Sequence, residues 1–149
     1  MTARPETLAP AAPRAARSRP ALAAAAVVVV IAGLAVRLAF DGAWTGPVGD
    51  ALYAVLVFLG VAFLLPRRSP WVVGALALAV CAAIELFQLT GLPVAWAEAF
   101  PPARLVFGTT FTAADLGLYA VGVAAATAAD ALASRARHGS GLARGPAGS

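Results

Sequence analysis

Apolar residues run together in four long blocks separated by short polar breaks. A helix that crosses a bilayer needs roughly 20 mainly apolar residues, and each block is long enough. The first runs from Ala21 to about Phe40; it opens after Pro20, tolerated at a helix start because its missing N–H has no partner there anyway, and is interrupted only by Arg37. The second covers Pro47 to Leu65, carries Asp50 near its start and ends at PRRSP. The third extends from Trp71 to Thr90 and is stopped by Gly91 and Pro93. The fourth is Phe111 to Leu132, with Asp115 near its start and Asp130 at its end. The pattern predicts an all-α, polytopic membrane protein with four transmembrane helices.

The direction of the helices follows from arginine, because short cytoplasmic segments retain Lys and Arg while translocated ones are depleted of them. Arg4, Arg14, Arg17 and Arg19 precede the first span, Arg67 and Arg68 join the second to the third, and Arg135, Arg137 and Arg144 follow the fourth. Of the eleven basic residues, only Arg37 and Arg104 fall at or near the opposite face. Both termini are therefore expected in the cytoplasm, in a multi-pass protein of a bacterial cytoplasmic membrane. Residues 1–19 and 134–149, rich in Ala, Arg, Gly, Ser and Pro, are expected to be disordered tails around a transmembrane domain at 20–133, with His138 solvated in the second tail. A cleaved signal peptide over residues 1–36 is the rival reading. The apolar run from Ala21 to Val36 is long for one, and no small-x-small site leading into a soluble domain follows it.

Composition agrees with a bilayer. The chain is 61% hydrophobic and 12% charged, against about a quarter charged in soluble domains, and its mean hydropathy is +0.84. The net charge of +4 does not point to nucleic acid, since the arginines lie in flanks and connections rather than in a patch with exposed aromatics. The lone cysteine, Cys81, lies inside an apolar run and reads as a packing residue. No cofactor or metal is expected.

Combining direction with position places the polar residues of the spans at one depth. At about 1.5 Å of rise per residue, Arg37 lies roughly 5 Å below Phe40, Asp50 about 5 Å below Pro47, Glu85 about 8 Å and Gln88 about 3 Å below Thr90, and Asp115 about 6 Å below Phe111. All four spans are thus expected to feed one outer polar layer. Glu85 and Gln88 share a helix face, as do Asp115 and Tyr119. An unpaired charge costs roughly 2.5 to 3.5 kcal/mol at the centre of a spanning helix and less towards its ends, so Arg37 and Arg104 are expected to neutralise part of a layer that stays net acidic. The connection from Gly91 to Thr110 is apolar rather than linker-like, and is expected to fold back as an interfacial or re-entrant cap built on Trp96, Phe100 and Phe107. Small residues suggest where helices approach: Gly117, Ala124 and Ala128 on the fourth span, and Gly74 or Ala75, Ala79 and Ala83 on the third. Trp44, Trp71 and Trp96 suit interfacial positions.

On these residues the chain resembles a family of small bacterial integral membrane proteins grouped as domain of unknown function 2809. The resemblance covers about residues 30 to 127 and rests on Arg37, GDALYA at 49–54, IELFQL at 84–89, the PPAR that contains Arg104, and FTAADLGLYAVG at 111–122. The GDALYA stretch adds Tyr53 to the candidate residues. More loosely, Glu plus Gln on one helix, an Arg in the next connection and an Asp opening the following helix is similar to the VanZ family, whose namesake is linked to glycopeptide resistance. Neither resemblance implies a mechanism.

Four functions compete for Arg37, Asp50, Tyr53, Glu85, Gln88, Arg104, Asp115 and Tyr119. Ionisable groups inside a membrane are functional candidates by default, which favours a polar pocket for a small polar group of an envelope lipid or cell-wall precursor. The structural alternative is a set of braces that fix helix register. The spans hold no His and no Ser or Cys beside a base, which leaves an enzyme only acid–base chemistry by Glu85 and Asp115. Transport requires polar residues through the full depth, and the inner half holds only Asp130, so a transport path would require a homo-oligomer.

Overall fold

The computed structural model describes residues 16–103 and 112–142. Among them are five helices and no strand: α1 (Arg19–Ala39), α2 (Thr45–Leu64), α3 (Pro70–Gln88), α4 (Leu92–Ala99) and α5 (Ala113–Leu142). Four are long and apolar enough to cross a membrane: α1, α2, α3 and α5 over Ala113–Arg137. The protein is a multi-pass, all-α membrane protein.

Local chemistry explains the boundaries. Ser18 and Ser69 are extended residues whose hydroxyls accept from the backbone N–H of Ala21 and Val72, and a proline stands in the first turn of each helix, Pro20 at the second position of α1 and Pro70 at the first of α3. Gly91, at φ 73, takes the left-handed conformation that ends the α3 turn and starts α4. The expected fold-back of the third connection is seen over Leu92–Ala99. There α4 packs on α3, Pro93 is buried, and the rings of Trp96 and Phe87 meet at 5.2 Å. Phe107, the third aromatic of that expectation, lies outside the described residues.

The core lies among α2, α3 and α5, each of which touches the other two. Its buried residues recur every fourth position: Ala54, Phe58 and Ala62 on α2; Val73, Ala77, Cys81 and Glu85 on α3; Tyr119, Val123 and Thr127 on α5. A four-residue repeat keeps neighbouring side chains on one helix face, so each helix offers an inclined row, or column, to its neighbours. Cys81 fills a rung of the α3 column, in line with its expected packing role. Helix α1 packs chiefly on α2 and buries no residue.

Small residues set the closest approaches, at the expected Gly74 on α3 and at Gly122 on α5, which the pattern does not single out. A Cβ at Gly122 would collide with the Ala51 carbonyl oxygen, and one at Gly74 with Thr127 Oγ1, so α5 nests against α2 and α3 at these glycines. Gly117, Ala124 and Ala128, and likewise Ala75, Ala79 and Ala83, are exposed. They form outward stripes because, in a chain this rich in alanine, small residues occur on every face.

Helix α5 continues through the expected tail boundary to Leu142. Extending a helix that has already formed costs little per residue. Arg17, assigned by the pattern to the N-terminal tail, is held in place. Its guanidinium forks onto both carboxylate oxygens of Asp130, with Nε 2.9 Å from each, and it donates to the carbonyls of Pro66 and Arg68. The two side chains are only 7% and 14% exposed.

Candidate functional site

At the end of the bundle opposite this arginine clamp, the three core helices each contribute an acid and, within one turn, a second polar side chain: Asp50 and Tyr53 on α2, Glu85 and Gln88 on α3, Asp115 and Tyr119 on α5. Spacings of three and four put both members of a pair on one face. The α3 column delivers Glu85. It is the next rung after Val73, Ala77 and Cys81, so the face that packs the core also carries the carboxylate inward, where it is 1% exposed.

Glu85 is satisfied from α5. The Tyr119 hydroxyl donates to Glu85 Oε1 at 2.8 Å, and the backbone N–H of Thr112, immediately before α5, approaches Oε2 at 3.5 Å. A carboxylate facing the start of a helix also meets the positive end of its dipole. Thr112 carried no sequence signal, because its contribution is a backbone group. Tyr53 and Tyr119 pack ring to ring at 6.1 Å with planes tilted by 54°. Gln88 is buried one turn beyond Glu85.

Asp50 and Asp115 are half-buried and lie within electrostatic reach of Glu85 and of each other. Among the described residues no arginine forms an ion pair with any of the three carboxylates. The expected partners divide as follows. Arg37 is exposed on α1, the helix that packs chiefly on α2, and forms no ion pair among the described residues. Arg104 lies outside the described residues. Among the described residues the acids of the layer come from α2, α3 and α5, and α1 stands outside that three-helix core.

The ion pairs of the described residues lie instead at the basic end, where Asp130 meets Arg17 and, at 4.0 Å, Arg137. The sequence signal for this was Asp130 itself, the one carboxylate at that end of the spans.

Three acids and two phenols gathered in a bundle can accept hydrogen bonds from a cationic group, exchange a proton, or tie helices together. No solved structure matches this chain. A family match extends over residues 39–123, somewhat less than the span of the expected resemblance; it includes Asp50, Tyr53, Glu85, Gln88, Asp115 and Tyr119 and leaves Arg37 just outside. Since this match takes in more than half of the chain, the protein belongs to the family described as protein of unknown function (DUF2809).

Proposed function

We propose that this membrane protein binds a small amine-bearing group, carried by an envelope lipid or a cell-wall precursor, between Asp50, Glu85 and Asp115 on the outer side of a bacterial cytoplasmic membrane. The observation that carries the reading is the convergence of three carboxylates from three helices with no described arginine paired to them. Like charges held together in a low-dielectric setting repel, and a bound cation relieves that repulsion. The outward orientation rests on arginine, which crowds the end bearing Arg17, Arg67, Arg68 and Arg137.

Native mass spectrometry of the detergent-extracted protein tests the proposal. The wild type is expected to retain an amine-bearing lipid or precursor, and Asp50→Asn with Asp115→Asn to lose it while Glu85 keeps its Tyr119 bond. Equal retention by that double variant would refute the site. The bracing alternative has its own support in the 2.8 Å bond that ties α3 to α5. It is separated by replacing both members of that pair, as described below.

A further inference from the structure

Between the basic ends of α1 and α2 lies an apolar groove of about 410 Å³, lined by Leu22, Ala23 and Ala26 on one side and by Leu59, Gly60 and Phe63 on the other. The two helices do not close over it. A Cβ at Gly60 would meet no atom within 4 Å, and the small residues Ala23, Ala26 and Gly60 in the lining leave the space between the larger ones. A groove of this kind on a membrane helix pair takes hydrocarbon, and its mouth shows which hydrocarbon. The Arg19 guanidinium sits 5.4 Å above the ring of Phe63, itself a wall of the groove. Arg67 and Arg68 follow directly after α2, and the backbone and side-chain bonds of Arg17 to Pro66 and Arg68 hold the start of α1 against that turn. Arg17 is neutralised by Asp130, whereas Arg19, Arg67 and Arg68 pair with no carboxylate among the described residues.

We infer that this groove holds one acyl chain of an anionic phospholipid, with the phosphate of that lipid seated on Arg19, Arg67 and Arg68. The apolar walls supply the volume for the chain, and the arginines supply the complementary charge at the depth of the head group. Each basic residue near an anionic lipid surface strengthens binding by about fivefold. The site is separate from the carboxylate cluster and takes a lipid of the opposite charge, so either can fail alone.

The test reconstitutes the protein in nanodiscs of equal parts phosphatidylglycerol and phosphatidylcholine with matched chains, and counts the lipids retained on gentle release in native mass spectrometry. The wild type is expected to keep one phosphatidylglycerol in at least fivefold preference. Arg19→Gln with Arg67→Gln and Arg68→Gln should remove the preference while a chain is still held. Gly60→Leu, which fills the groove where nothing obstructs it, should abolish retention of either lipid, and Ala79→Leu, the same kind of change on an exposed position of α3, should not. Equal retention of the two lipids by the wild type, or retention by Gly60→Leu equal to that of the wild type, would reduce the bound molecule to annular lipid only and overturn the inference.

Discussion

Tyr119 donates its hydroxyl to Glu85 across 2.8 Å, joining α3 and α5 at the end opposite the arginine clamp, at a carboxylate that is 1% exposed. The bond continues the packing columns of both helices, since Glu85 follows Cys81 by one turn and Tyr119 precedes Val123 by one turn. It therefore serves register as well as chemistry, and the two roles separate experimentally. Tyr119→Phe is expected to lower thermal stability in detergent by about 1 kcal/mol, in the range of measured interhelical hydrogen bonds. Glu85→Met combined with Tyr119→Phe should recover most of that loss, because no buried polar atom of the pair is left unmade. If the double variant melts as the sum of the single losses, the bond does not couple the helices.

Double replacement also discriminates site from brace. Under the proposed function, Glu85→Met with Tyr119→Phe folds but fails to complement deletion of the gene under cell-wall stress. Full complementation by a well-folded double variant would leave bracing as the role of Glu85.

At the opposite end, Arg17→Ala is expected to destabilise the fold by about 3 kcal/mol, since it strands Asp130 at low exposure and removes donors from the carbonyls of Pro66 and Arg68. Hydrogen exchange should quicken at Ala21 and Leu22, whose N–H groups bond back to Ser18 and whose helix α1 has no buried residue to hold it otherwise. Exchanging the charges, Arg17→Asp with Asp130→Arg, should restore only part of the loss, because Asp cannot donate to the two carbonyls. Unchanged exchange in Arg17→Ala would show that the clamp does not anchor α1.

Gly122 and Gly117 predict opposite tolerances on one helix. Gly122→Ala places a Cβ against the Ala51 carbonyl oxygen and within 3.0 Å of Ala54 Cβ, so it should cost about 1–3 kcal/mol and lower the folded yield on size exclusion. Gly117→Ala meets nothing within 4 Å and should change stability by less than about 0.5 kcal/mol. Equal effects at the two positions would contradict the α2–α5 packing.

Orientation is checked by reporter fusions. Fusions after Arg68 and after Leu142 should both report cytoplasm, and one at Glu98 should report the outside. An external signal after Arg68 would invert the chain and place the carboxylate cluster on the inner face.

The number and type of the spanning helices, and their boundaries to within a few residues except at the C-terminal end of α5, were legible because a bilayer admits few solutions: backbone groups must be satisfied within a helix, and roughly 20 apolar residues are needed to cross. The meeting of Asp50, Glu85 and Asp115 at one level was also legible, since it requires only alternating direction and a fixed rise per residue. Hydropathy is nearly blind to how helices rotate and choose neighbours, because lipid tails and apolar side chains are equivalent surroundings. Tertiary packing alone therefore set α1 outside the core and Arg37 with it, turned the Gly117, Ala124 and Ala128 stripe outward while Gly122 met Ala51, and brought Arg17 to Asp130. It also chose Tyr119 and the Thr112 N–H as the donors to Glu85. In a bilayer, composition decides which segments become helices, while van der Waals fit at a few small residues and the pairing of a few polar groups decide how those helices face one another.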